Sequence, residues 1–421
     1  MGGSKIASVQ CLVRTHWASL DAAPGEHHLL EHVLITGGWR ACGDAPCPEV
    51  LARKTITCNA RVSANEAMYS CGGPNSELST MIEFITSIML DPVITEASVY
   101  RERPAVRAEM TPKAGSANRS FVQEAVKRWY DCAVLADTAN AQKHLDCLDD
   151  LSAEGLRSLY RRSYVRGAMT FIVAANCPRT KMETMFRAAI RKLDRLPPLG
   201  RPTTPCRLKK PVYSVVRTTD KQSRIALLFD SSLSPGSLRA SRLGFLTFLV
   251  AGGLDSFLYT VLRSRLRKVY GVSTGSLVVG QKLLVWIQTS CYPKNSQATL
   301  EALVAAMAVA RQGGIPEDMI GRAKKSFVLS VESGCWASAG HLAAYYGAQY
   351  SVRGGRVLSP ASLVKNIRAV DSEEVTALCG DAFPEDRCTV ILGEPGRAGK
   401  RHRRSIRRVL HNRRRTRRSR N

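Results

Sequence analysis

No apolar run in this sequence approaches the roughly 18 residues that a membrane-spanning helix requires, which excludes a helical transmembrane protein. A secretory leader is not expected either, because the apolar stretch from Ile6 to Val13 lies between Lys5 and Arg14 and is too short for a signal with a cleavage site. A removable mitochondrial presequence is equally hard to fit, because its loss would take the strand-like segment that precedes the first functional motif. Thirteen cysteines are present, but the count is odd and no Cys-x-x-Cys pair occurs. A disulfide framework is thereby disfavoured and a reducing compartment is expected. Cys11, Cys58, Cys71, Cys177 and Cys388 sit in apolar contexts where free thiols are commonly buried. His144, Asp146 and Cys147 lack the companions a second metal site would need and read as helix or loop surface.

Acids are scarce as well, with 35 Asp and Glu against 61 Lys and Arg and a formal charge of +26. The imbalance is uneven. From Lys400 to Asn421 there are twelve Lys or Arg and no acid, which leaves +14 for the rest of the chain (26 minus 12). Such a run repels itself and cannot bury apolar surface, so a disordered tail is expected. The partner it suggests is nucleic acid, bound through phosphates, or a nuclear-import receptor; a solubilising tail is the other reading. No aromatic residue interleaves with the arginines, so stacking on single-stranded bases is not expected.

What is present in abundance is apolar residues, 44% of 421, enough for two domain cores. Periodicity predicts a strand over 6–14, a helix over 24–36, strands within 55–72, helices near 76–91 and 95–113, a strand over 170–175 and a helix over 179–193. The second half repeats the order loosely, with strands near 212–230, helices over 238–251 and 255–266, strands within 270–290, helices over 296–312 and 316–333, and a late strand over 389–392. A Pro-rich linker, 196–211, separates a first domain (1–195) from a second (212–396), and 397–421 form the tail. The fold class predicted is α+β: two similar domains, each an antiparallel-rich sheet with helices on one face.

The most informative chemistry lies in His28-Leu29-Leu30-Glu31-His32, an H-x-x-E-H box. On a helix these positions share one face, so His28 and His32 can hold a metal while Glu31 reaches a water bound to it. Zn²⁺ takes imidazole readily, and a catalytic site needs three protein ligands and one open position. The missing ligand is expected on a second helix, where Glu102 and Glu109 lie two turns apart within Tyr100-Arg-Glu-Arg-Pro-Ala-Val-Arg-Ala-Glu109. Pro104 is expected to kink that helix.

With these residues the chain resembles the pitrilysin, insulysin and mitochondrial processing peptidase family of inverted-motif zinc peptidases. Glu109 stands 77 positions after His32 (109 minus 32), where the family carries its third zinc ligand. Glu102 falls where the family has a second acid that supports the site. Asn59-Ala60-Arg-Val-Ser63 looks like the family's edge strand, which implies that Asn59 and Ala60 contact substrate backbone by strand addition. Gly252-Gly253-Leu254-Asp255 followed by Arg263 and Tyr270 looks like the family's later helix and strand, whose Arg and Tyr grip the substrate beside the zinc. Arg263 and Tyr270 alone would be ordinary surface and packed residues.

The resemblance implies a zinc endopeptidase, with Zn²⁺ on His28, His32 and Glu109, Glu31 as general base and Glu102 orienting the ligands. Family members enclose peptides or unfolded segments between two lobes of a clamshell, each made of two such domains. This chain corresponds to one lobe, so a partner is expected: a second copy or a related lobe. Two other readings stand beside it, a catalytically inactive scaffold of the same fold and a nucleic-acid-associated protein acting through its tail.

Overall fold

The computed structural model describes residues 5–14, 22–63, 66–114, 130–131, 141–198, 207–208, 213–218, 221–267, 269–279, 282–353 and 357–395. The basic tail lies outside them. By its contacts the chain divides into two units that do not follow chain order. The first comprises Met1–Gly115, Cys132–Pro205 and Ser333–Val357; the second comprises Ser116–Asp131, Cys206–Glu332 and Leu358–Asn421.

The first unit is built on strand β1 (Ile6–Arg14). Helices α1 (Glu26–Gly37) and α2 (Cys47–Ala52) follow, then strands β2 (Thr57–Val62) and β3 (Glu66–Pro74). Helices α3 (Leu78–Leu90), α4 (Glu96–Ala114), α5 (Ala141–Cys147) and α6 (Ala153–Ser163) precede strand β4 (Met169–Ala174) and helix α7 (Arg179–Asp194). The sheet order is β2-β3-β1-β4, antiparallel throughout, with Cys11 opposite both Tyr69 and Phe171. Period-2 alternation sends Ala7, Val9, Cys11 and Val13 of β1 into a core shared with Leu29, Leu30, Val33 and Leu34 of α1 and Phe84 and Ile85 of α3.

The opposite face of β1 is also covered. Helix Ala339–Arg353, far along the chain, belongs to this unit, and Gln10 donates from Nε2 to its Gly340 carbonyl at 3.5 Å. Gly340, Ala343 and Gly347 recur on one helical face, and a Cβ at Gly347 would stand 3.3 Å from Ile172 Cδ1. Small residues on that face let the helix lie close to the sheet. Arg14 completes the contact, its guanidinium 5.2 Å from the Tyr350 ring centroid.

The second unit holds strands β5 (Tyr213–Thr218) and β6 (Ser223–Asp230), helix α8 (Leu243–Ala251), strands β7 (Val272–Val279) and β8 (Lys282–Cys291), helices α9 (Ser296–Arg311) and α10 (Glu317–Trp336), and strand β9 (Cys388–Pro395). Its sheet runs β5-β9-β6-β8-β7, antiparallel except where β9 pairs in parallel with β5. β6 is buried on both faces, and Phe229 meets Phe383 edge to face at 5.3 Å. Between α8 and β7 the chain turns from a short helix, Phe257–Tyr259, into a π-helical turn, Thr260–Arg265. Both units are thus α+β with antiparallel-rich sheets.

Pro104, where a kink is expected, does not end its helix. α4 runs unbroken through Pro104 and Pro112. Pro104 lies on the exposed side of α4, and the carbonyl it cannot serve belongs to Tyr100, itself 75% exposed, so water can satisfy it. Val99, Glu102, Val106 and Met110 form the buried stripe, which fixes the face that Glu109 borders.

The late helix makes the first unit depend on residues more than three hundred positions from β1. Ala343 is fully buried. Ala343→Asp places a charge there without a counter-ion and is expected to remove about 3 kcal/mol or more. Hydrogen exchange is expected to accelerate in β1 and β4 and to stay unchanged in β6 and β8. Unchanged protection in β1 would show that the helix contributes nothing to that sheet.

Candidate metal centre

Helix α1 begins at Gly25, whose φ of 85° is open to glycine and where a Cβ would meet His144 Cβ at 3.3 Å. From that start, two adjacent histidines separate by about 100° around the axis. His27 turns inward, where burial first, then the charges of Arg162 and His144, hold its imidazole well below the ordinary value and keep it neutral. His28 turns toward α4. One turn on, His32 joins it, with the two rings edge to face at a centroid distance of 4.9 Å.

Glu109 supplies the third donor. Its Oε2 lies 3.3 Å from His28 Nε2 and 3.5 Å from His32 Nε2. Tetrahedral zinc with bonds of about 2.0–2.1 Å sets its ligand atoms roughly 3.4 Å apart, so Glu109 stands from each imidazole at the separation a zinc ion requires, and all three donor atoms lie within 4.8 Å of one another. Among the described residues this is the one cluster of three such donors within 4.8 Å, and His144 with Cys147 forms no second one.

Glu102 sits behind His32, with Oε2 at 3.6 Å from Nδ1. Burial would raise its carboxyl, but the nearness of His32 and Thr36 and the charges of His32 and Arg101 outweigh it and hold the group below its usual range. For His32, burial pulls the imidazole down, while the neighbouring carboxylates, Glu102 first and then Glu31 and Glu109, push harder and leave it raised. Glu102 engages Nδ1 and so leaves Nε2 facing Glu109, the arrangement by which a carboxylate orients a metal-ligating imidazole. Arg101 approaches Glu102 Oε1 at 3.6 Å. The remaining arginines of α4 go elsewhere: Arg107 pairs with Asp149 at 2.7 Å and Arg103 donates to the Leu151 carbonyl at 2.6 Å.

Glu31 is 6% exposed on the same face of α1. Beneath it the hydroxyls of Tyr69 and Tyr164, both buried, meet at 2.6 Å. Burial first, and the Glu31 charge among the lesser causes, hold both phenols above their ordinary value, so they stay protonated. Sequence reasoning missed this pair and also Thr36, whose Oγ1 donates to the His32 carbonyl at 2.8 Å. The i+4 spacing from His32 was a usable signal for Thr36; the tyrosine pair, 95 residues apart, left none.

Asn59 and Ala60 lie on β2, the outer strand of the same sheet. Ser70 Oγ on β3 donates to the Asn59 carbonyl at 3.2 Å, which turns that carbonyl inward. The N–H of Ala60 shares the same peptide plane and therefore points outward, where Asn59 Oδ1 accepts it at 2.9 Å. Arg263 and Tyr270 belong to the second unit, the guanidinium 5.8 Å from the ring centroid and Nη1 donating to the Val269 carbonyl at 3.1 Å. Tyr270 is 56% exposed and tilts against Tyr292 at 6.4 Å.

Residues 150–327 match the family described as the Peptidase M16 inactive domain. That span starts beyond Glu109 and contains none of the residues clustered around His28. The chain is 22% identical over 394 residues to an uncharacterized zinc protease of Streptomyces coelicolor, covering 90% of this chain and 83% of that one. Among solved structures, an M16 inactive domain from Pseudomonas fluorescens superposes with a TM-score of 0.78 at 15% identity, covering 94% of this chain and 93% of that one. A protease from Helicobacter pylori gives 0.77 at 14%, covering 93% and 94%. The periplasmic protease PqqL of Escherichia coli gives 0.71 at 13%, and there the match covers 94% of this chain but 43% of the longer one.

The geometry divides the residues into ligands and a supporting group. His28→Ala, His32→Ala and Glu109→Ala are each expected to abolish stoichiometric zinc in the purified protein. Glu102→Ala is expected to keep the stoichiometry and weaken affinity by about 10- to 100-fold, read by competition with a chelator. Equal loss in all four variants would refute the distinction.

Proposed function

We propose that this chain, whose similarities support the M16 peptidase family, is a zinc-dependent endopeptidase acting on peptides or unfolded segments. The observation that carries the reading is the convergence of His28, His32 and Glu109, their donor atoms within 4.8 Å of one another and Glu109 at 3.3 and 3.5 Å from the two imidazoles, with the buried carboxylate of Glu31 in the same box. Zinc held by these three residues would supply Lewis acidity toward a peptide carbonyl and an acidified water. The chain's own part is proton handling and positioning. Glu31 accepts the proton of the attacking water and returns it to the departing amine, a general acid–base role worth about 10²- to 10⁴-fold. Glu102 holds the His32 imidazole in place. An extended peptide adding to β2 would replace Asn59 Oδ1 on the outward N–H of Ala60 and gain a main-chain hydrogen bond.

The match to PqqL over less than half of that chain supports the view that this polypeptide is one lobe of a larger assembly. We further propose a homodimer in which Arg263 and Tyr270 of one copy complete the centre of the other, since closed two-fold assemblies are the commonest oligomers. A heterodimer with a related lobe is the competing arrangement.

Zinc analysis combined with a peptide-library cleavage assay tests the first proposal. Glu31→Gln should keep its zinc and lose hydrolysis by at least about 10²-fold; wild-type protein loaded with zinc that cleaves nothing in the library would reject peptidase activity. Mixing two inactive variants tests the second. Glu31→Gln and Arg263→Ala/Tyr270→Phe, exchanged into mixed dimers, should yield one intact site per dimer and recover activity that neither parent has. Mixed dimers seen by mass that remain inactive would eliminate completion in trans.

A further inference from the structure

We propose that the exposed flank of α7 is a nucleic-acid-binding surface that engages the phosphate backbone, independent of the metal centre and of any peptidase activity. The helix carries Arg179, Lys181, Arg187, Arg191 and Lys192, with Arg195 capping its end, against two acids, Glu183 and Asp194. Position decides what that imbalance means. At about 100° per residue, Arg187, Arg191, Arg195, Lys181 and Lys192 fall in one arc of about 140°, and both acids lie outside it. Glu183 is occupied by Arg179 at 2.7 Å. Lys192 has Asp91 at 3.4 Å, whereas the exposed side chains of Lys181, Arg187, Arg191 and Arg195 have no acidic partner among the described residues. Four cations therefore line some 21 Å of a helix, at a rise of about 1.5 Å per residue, with no acid paired to them among the described residues.

The opposite side of α7 is anchored. Met182, Met185, Phe186 and Leu193 pack against the first core, and the Phe186 ring lies 5.7 Å from that of Phe171. That side is not free to enter a lipid interface as a membrane-lying amphipathic helix must. The stripe presents no aromatic residue for stacking on bases, so what it offers is a rigid row of positive charge, suited to phosphates and indifferent to sequence. Helix-dipole compensation accounts for cations in the last turn alone; Lys181 in the first turn runs against it.

The test is fluorescence anisotropy of a labelled, mixed-sequence DNA duplex with the full chain across a series of salt concentrations. Residues 400–421 stay in every protein, so whatever they contribute is common to all. The variant Lys181→Gln/Arg187→Gln/Arg191→Gln/Arg195→Gln should bind at least about tenfold more weakly near 0.1 M salt, with the log–log salt slope reduced by about 3 to 4. Its control, Arg40→Gln/Arg53→Gln/Lys294→Gln/Lys325→Gln, removes the same charge from exposed positions elsewhere and should bind as the wild type does. Arg187→Gln/Arg191→Gln gives half the slope change should the four-site protein melt early. Absent wild-type binding, equal losses in variant and control, or an unchanged slope in the variant would each overturn the proposal. So would a variant that loses binding to phosphatidylserine vesicles while retaining the duplex.

Discussion

Two imidazoles and a carboxylate can rest 3.3 and 3.5 Å apart only if α1 and α4 cannot slide against each other. What prevents sliding is apolar packing. Leu29, Leu30, Val33 and Leu34 of α1 are fully buried, and Val99, Val106 and Met110 of α4 are nearly so. Each such side chain is worth about 1.5–3 kcal/mol of burial, which outweighs what the polar groups lose by being drawn from water. The metal geometry is thus inherited from the hydrophobic stripes between which the ligands sit. The same packing explains why Leu29 and Leu30 stand between His28 and Glu31: the box faces α4 with one side and the sheet with the other.

Charge is arranged around that packing. α4 reads in sequence as an acidic and basic alternation that should pair with itself, with Glu102 and Glu109 among Arg101, Arg103 and Arg107. In the structure Arg103 and Arg107 are drawn to Leu151 and Asp149 on neighbouring elements. Arg101 alone stays with an acid of its own helix, Glu102 at 3.6 Å, and Glu109 faces the two imidazoles. Had the arginines stayed on their own helix, Glu109 would have been held as an exposed ion pair, worth at most about 1 kcal/mol, and turned from α1.

The sequence pointed to this cluster because its donor residues obey local rules. His28, Glu31 and His32 lie within one helical turn, and Glu102 and Glu109 share a face seven residues apart; helical geometry alone converts those spacings into directions. Strand positions such as 6–14 were legible through apolar alternation for the same reason. Three features were not. Helix Ala339–Arg353 covers the first sheet from a distant part of the chain, and its small-residue face carries no mark of the strand it will meet. The Tyr69–Tyr164 hydroxyl pair joins β3 to the end of α6, and its partners are set by the tertiary fold. That α4 continues unbroken through Pro104 was not legible either, because whether a lost hydrogen bond ends a helix depends on whether water can reach the orphaned carbonyl.

An open sheet edge beside a metal centre raises a problem of selectivity, because unpaired backbone groups attract any extended chain. β2 meets it with one side chain. Asn59 Oδ1 occupies the outward N–H of Ala60, so an arriving strand must exchange one hydrogen bond for another of similar strength and not merely satisfy a bare donor. The net gain at that position is then small against the 0.5–1.5 kcal/mol or so that a fresh hydrogen bond contributes. Backbone pairing by itself therefore discriminates little and binds weakly. Under the proposed strand addition, affinity for a peptide would have to come from its side chains and from the centre it reaches, which is the condition under which an edge strand can accept many sequences without becoming a seed for aggregation.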